Sequence, residues 1–234
     1  FRIKECVKKV KKNSEEKLTE CILHAHTTMA DGAVAYELKR NLGVDYIVAV
    51  RNVDLNYYYK IRFDLRRKFW SILDQSSKVI FISPAYRDVI LKLCPIKLKD
   101  SLDQKSEVIG NGVDPYWFKT PLIYKKSEKS KKSILFVGRL DNNKNLIRLV
   151  RAVELLRDDY DIELNVVGKK IQSFNFNMNK LLLSNKGFVN YLGEITSKKK
   201  LSQLYRDSDL LAVPSINETF GLVYVEAWSQ GLAC

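Results

Sequence analysis

The sequence predicts an α/β protein of two domains, each built on a parallel sheet. Two observations carry this. Short apolar runs alternate with stretches of helical period in both halves of the chain, the pattern of repeated strand–helix units. Between Asp114 and Ser133 that alternation lapses, and Lys, Ser, Pro and Thr dominate. The expected division is therefore a domain over 1–115, a linker over 116–132 and a second domain over 133–234.

Residues 1–17 read as a basic amphipathic helix with Phe1, Ile3, Val7 and Val10 as apolar positions. Thr19 to His26 reads as a strand. Asp31 is the expected N-cap of a helix over 32–42, and Gly43 its C′ residue. Asp45–Val50 is a buried strand, and Asn56–Gln75 one long helix. Val79–Ile82 is a strand, and Ser83-Pro84 opens the next helix with a cap and an N1 proline. That helix ends near Cys94-Pro95, and Glu107–Ile109 is a short strand. The second domain is expected to run strand 134–137, helix 144–156, strand 162–167, helix 174–183, strand 188–192, helix 197–206 and strand 210–213. A helix from Leu222 to Gly231 closes the chain.

Composition narrows the function. Of 234 residues, 46% are hydrophobic and 11% aromatic, enough for two packed cores. No apolar run reaches the roughly 18–20 residues of a spanning helix. The four cysteines form no C-x-x-C pair, which argues against a zinc ribbon and fits a reduced, cytoplasmic setting. Two histidines cannot build a multi-histidine metal site. The net charge of +13 points to anions. No module motif or aromatic–arginine stripe directs it to nucleic acid. Lysine runs suggest docking on an anionic membrane, peripherally on its cytoplasmic face.

Ligands of parallel sheets bind beyond the carboxyl ends of the strands. In the first domain that rule selects His24, His26, Asp31, Arg51, Asn52, Asp54 and Ser83. His24 and His26 are expected to point to opposite faces of their strand, so that one at most faces a cleft. In the second domain Gly138 turns the chain after a strand, and Arg139 and Lys144 bring two cations to the strand end. Two cations at a helix start are awkward unless an anion lies between them, and a diphosphate would satisfy both. Further on, Pro214 ends a strand and Gly221 precedes a helix whose unpaired N–H groups favour an anion. Glu218 and Glu226 frame that site. Acids there are best explained by reach past the anion to hydroxyl groups, a sugar on one flank and a ribose on the other.

The string Pro214-Ser215-x-x-Glu218-Thr219-Phe220-Gly221-Leu222-x-x-x-Glu226-Ala227-x-x-x-Gly231 resembles the donor-site signature of retaining glycosyltransferases of family 4, which have the GT-B fold of two Rossmann-like domains. Val137-Gly138-Arg139-Leu140 with Lys144 resembles the same family's pyrophosphate motif, with Asn145 where glycine is usual. Asn111-Gly112-Val113-Asp114 is similar to its interdomain turn, and Phe188–Gly193 to the strand and loop that meet the nucleotide base through the backbone. At the place of the family's Val-His-Gly this chain has Val50-Arg51-Asn52. The resemblance implies Arg139, Lys144 and Glu218 as catalytic residues. It implies Gly138, Gly193, Thr219, Phe220, Gly221, Leu222 and Glu226 as donor-binding residues. Glu226 would hold the ribose and Glu218 a hydroxyl of the donor sugar. It also implies transfer from a nucleoside-diphosphate sugar to a glycan or lipid-linked acceptor, in cell-surface polysaccharide or glycolipid synthesis. The chain's own cations and a helix end can replace a metal, so no metal and no cofactor are expected. A nucleotide-sugar epimerase and a non-catalytic subunit of the same fold are the alternatives. Both domains are expected to be incomplete, with further family elements before Phe1 and after Cys234.

Overall fold

The computed structural model describes residues 3–18, 20–119, 130–170, 187–218 and 220–234. The expected helix over 174–183 and the site residue Thr219 lie outside these residues. The chain divides into two compact units, Phe1–Asn111 and Gly112–Cys234.

In the first unit β1 (Leu23–Ala25), β2 (Tyr46–Val50), β3 (Lys78–Phe81) and β4 (Ser106–Val108) form one sheet in that order, all parallel. Val48, Ala49, Val50, Val79 and Phe81 are fully buried. A strand covered on both faces has no reason to alternate, and these runs do not. Five helices accompany the sheet among the described residues: α1 (Ile3–Leu18), α2 (Asp31–Leu42), α3 (Arg66–Gln75), α4 (Pro84–Leu93) and α5 (Ile96–Gln104). Gly43 closes α2 at φ 73°, its N–H donating to the Lys39 carbonyl at 2.8 Å. Ser83 caps α4, accepting from the Tyr86 N–H at 3.4 Å.

Three expectations need correction here. Asp31 is the first residue of α2, not its cap, and its N–H donates to the Thr27 hydroxyl at 3.2 Å. The helix expected over 56–75 is broken into a π-turn (Asp54–Tyr59), a 3-10 turn (Phe63–Leu65) and α3. The Tyr59 carbonyl left over at the break accepts from Arg66 Nε at 2.8 Å, and the same guanidinium lies over the Tyr59 and Phe63 rings. Pro95, read as a terminator, also serves as the N-cap of the unexpected α5.

In the second unit β5 (Lys132–Val137), β6 (Ile162–Val167), β7 (Val189–Gly193) and β8 (Leu210–Leu211) form a second parallel sheet in the order β7-β6-β5-β8. The helices are α6 (Leu146–Leu156), α7 (Lys198–Asp207) and α8 (Leu222–Ser229). Leu135, Phe136, Leu146, Val150, Leu164 and Val166 fill the core. Trp117, within the segment expected as linker, is buried in this core. It rests on Tyr205 with ring centroids 5.7 Å apart, and its carbonyl accepts from Gln230 Nε2 at 3.0 Å. Because every strand in a sheet is parallel, all carboxyl ends within each unit share one edge.

Candidate active site

Three glycines line the carboxyl edge of the second sheet. The Gly138 N–H donates to the Val167 carbonyl at 3.0 Å, and the Gly168 N–H to the Gly193 carbonyl at 2.8 Å. A Cβ on Gly168 would lie 1.7 Å from the Gly138 oxygen, so no side chain fits between these strand ends. The result is a surface of bare backbone. Gly138 and Gly193 were selected from the sequence as site residues. Gly168 is a strand-end residue whose packing role only the pairing of β5 with β6 reveals.

Beyond Gly138 the chain makes a 3-10 turn, Asn142–Lys144, capped by Asp141, whose Oδ1 accepts from the Lys144 N–H at 3.0 Å. Asn145 then sits in the left-handed region at φ 55° before α6 begins. That conformation explains the residue standing where a glycine is usual, since asparagine tolerates it better than other side chains.

Asn143 joins this turn to the loop after β8. Its Nδ2 donates to the Asn217 carbonyl at 2.9 Å, and its Oδ1 accepts from the Asn217 N–H at 3.0 Å. The Ile216 N–H donates to the Asn143 carbonyl at 2.7 Å. This clamp brings Lys144 against Glu218, with Nζ 2.6 Å from Oε2. The Ser215 hydroxyl donates to the same oxygen at 3.4 Å. The Lys144 side chain is only 17% exposed and thus fixed in direction. Arg139 is 75% exposed and meets Asp141 at 3.6 Å.

The loop closes on Gly221 at φ 71°, where a Cβ would lie 2.5 Å from the Tyr224 ring. Tyr224 donates its hydroxyl to the Val213 carbonyl at 2.6 Å. Among the described residues no side chain caps the N-terminus of α8; the Tyr224 N–H turns back to the Gly221 carbonyl at 2.9 Å, and the amides at Phe220, Gly221 and Leu222 are the ones this helix start offers to an anion. Glu226 lies just over a turn inside. The Tyr205 hydroxyl donates to its Oε2 at 3.1 Å. Burial pushes the Glu226 carboxyl up, Tyr205 and Lys198 draw it down, and Asp114 pushes it up again.

A carboxyl raised in the folded state binds its proton more tightly there than in the unfolded chain. Its contribution to stability therefore falls as pH climbs from the ordinary glutamate range through the raised value. Glu226→Gln is expected to unfold at a higher temperature than wild type at pH 7–8, with the gap closing as pH drops to about 4. Thermal melts across that range would check it, and a gap that is flat with pH would contradict it.

The geometry thus joins Lys144 with Glu218 and sets Glu226 on Tyr205. It gives no contact between Arg139 and either glutamate among the described residues. Sequence reading missed Asn143 and Tyr205. Each acts through a partner far along the chain, and local pattern carries no signal of that. Asp-x-Asp spacing occurs twice, at Asp159-Tyr160-Asp161 and Asp207-Ser208-Asp209. Asp209 accepts from the Ser133 N–H at 2.8 Å, near the amino end of β5 and away from the glycine edge.

In the first unit His24 and His26 share one side of β1, with ring centroids 4.4 Å apart. The expectation of opposite faces was wrong, because residues two apart on a strand point the same way.

The family model described as Glycosyl transferases group 1 matches residues 91–234, more than half of the chain. The chain belongs to this family. An uncharacterized glycosyltransferase of Methanocaldococcus jannaschii is 24% identical over 223 residues, covering 90% of this chain and 55% of the relative. A D-inositol 3-phosphate glycosyltransferase of Pseudarthrobacter chlorophenolicus is 34% identical over 103 residues, covering 42% of this chain and 24% of the relative. Among solved structures, Anabaena HepE in complex with UDP and glucose superposes with a TM-score of 0.72 at 19% identity, covering 98% of this chain and 60% of that one. The match bears out the GT-B fold: two Rossmann-like units, each with a four-stranded parallel sheet. The chain spans at most about 60% of the length of these relatives.

Proposed function

We propose that the protein moves a sugar from a nucleoside-diphosphate donor to an acceptor hydroxyl with retention of anomeric configuration. The observation that carries this is the Lys144–Glu218 pair, formed across two loops and standing between the glycine edge and the start of α8. In this reading the donor diphosphate lies against Gly138, held by Arg139, Lys144 and the amides of Phe220 to Leu222. Gly193 and its loop meet the base through the backbone. Glu226, steadied by Tyr205, takes the ribose hydroxyls. Glu218 accepts from a hydroxyl of the donor sugar, with Lys144 fixing its carboxylate.

The chemical demand is the charge that grows on the departing diphosphate. Fixed donors aimed at that charge are the strongest device available to the protein. Two cations and a helix start supply it without a metal, and activity unchanged by chelation is expected. The UDP complex of HepE supports a nucleoside diphosphate as the donor's leaving group. The charge of +13 supports an anionic or membrane-borne acceptor of cell-surface glycan or glycolipid synthesis, met on the cytoplasmic side.

The test is calorimetric binding of UDP, GDP and ADP to the full-length protein. Arg139→Ala and Glu226→Ala are each expected to weaken the best of the three about tenfold or more, the worth of one charge-assisted hydrogen bond. Unchanged affinity in both variants, or no binding of any of the three, would sink the assignment.

A further inference from the structure

The carboxyl edge of the first sheet holds a second concentration of positive charge that the donor reading leaves unused. Its strands are parallel, so His26, Arg51, Ser83 and Asn111 all follow strand ends on this edge. Arg51 is fixed there by two bonds. Its Nε donates to the His26 carbonyl at 3.1 Å and its Nη1 to Asn111 Oδ1 at 3.0 Å. Since β3 lies between β2 and β4, the second bond carries the guanidinium across the end of β3, where α4 begins behind the Ser83 cap.

Both partners of Arg51 are neutral oxygens, and no carboxylate pairs with it among the described residues. Asp54, three residues on, is fully buried, and its oxygens are taken by the N–H groups of Thr28, Met29 and Arg51 itself. Asp31 is bound to the Thr27 hydroxyl. A guanidinium carries five N–H groups in one plane. The two bonds orient that plane, and three N–H groups remain without a partner among the described residues. The exposed rings of His24 and His26, tilted 32° to one another, can add further donors on the β1 side.

A cation held in place by neutral groups, beside two imidazoles and a helix start, is complementary to a compact anion with several acceptor oxygens. A carboxylate would satisfy the fork alone. A phosphate satisfies the fork and still offers oxygens to the neighbouring donors. We propose that Arg51, oriented by His26 and Asn111, anchors a binding site for a phosphate group. Taking this unit as the acceptor side rests on the function proposed above. The phosphate is then borne by the acceptor, as a soluble phosphate ester or as a lipid head group.

Both histidines of the 234-residue chain lie at this edge, so their imidazole NMR signals report on it directly. Glycerol 3-phosphate added at fixed pH is expected to shift both signals saturably. Arg51→Gln should weaken that binding at least tenfold, Arg51→Lys should weaken it less, and Lys144→Ala should leave it unchanged. No saturable shift in the wild type, or equal binding by Arg51→Gln, would overturn the proposal. So would a loss that follows Lys144 and not Arg51. Arg51→Lys keeps the charge and guards against a folding artefact. Phosphatidylglycerol vesicles that displace glycerol 3-phosphate assign the group to a lipid, and failure to displace it assigns it to a soluble ester. Failure of the donor reading appears separately, as UDP affinity insensitive to Arg139, and leaves the Arg51 result standing.

Discussion

Lys144→Ala is expected to lower sugar transfer by the full-length protein about 10²- to 10³-fold, the usual cost of removing one fixed donor from a developing oxyanion. The lysine serves twice. Its ammonium neutralises Glu218 at 2.6 Å, and its stem lies over Gly138, within 3.7 Å of where a Cβ would stand. Removing it deletes a cation from the proposed diphosphate site and leaves the Glu218 carboxylate there without its lysine. The second effect makes the loss larger than that of an exposed cation such as Arg139. It also makes the loss non-additive. Glu218→Gln in the Lys144→Ala background should recover part of the donor affinity, although alone it trades a charged acceptor of a sugar hydroxyl for a weaker, neutral one. Turnover and UDP binding measured over the double-mutant cycle separate these terms. A loss under about fivefold for Lys144→Ala, or strict additivity with Glu218→Gln, would show that the pair does not act on the donor.

What could be read in advance follows from the range of each interaction. Gly43 and Ser83-Pro84 were legible because a helix end is decided within a few residues. Gly138, Gly193 and Gly221 were legible because bare backbone at a strand end has few other residues that supply it. The Asn143–Asn217 clamp spans 74 positions, and both members read locally as ordinary turn residues. Tyr205 fits the buried face of α7 like any large side chain there, and only its position against Glu226 gives its hydroxyl a purpose. The break after Tyr59 was illegible for another reason. No glycine or proline marks it, and Arg66, which satisfies the orphaned carbonyl, is itself a good helix former.

Asp54→Ala is expected to destabilise the first unit by about 3–5 kcal/mol, a large share of a domain's stability. The carboxylate accepts from Thr28 at 3.0 Å and from Met29 and Arg51 at 2.9 Å each, tying the turn after β1 to the turn after β2. Burial pushes its carboxyl up, and the three N–H bonds work the other way. Alanine leaves three amide donors without an acceptor, those of Thr28 and Met29 in buried residues, at roughly 1–3 kcal/mol each before relaxation. Asp54→Asn keeps one oxygen, enough for Thr28 and Arg51, but turns an amide donor toward the Met29 N–H. It should cost about 1–3 kcal/mol. Because the tie lies wholly within the first unit, urea unfolding followed at Trp70 should move to lower denaturant. The transition seen at Trp117 should stay in place. Equal shifts at Trp70 and Trp117, or a cost under about 1 kcal/mol for Asp54→Ala, would mean that the buried carboxylate is not what holds these strand ends together. The Arg51 backbone belongs to the same tie, so Asp54→Asn should also blunt the phosphate response of the two histidines while leaving UDP binding intact.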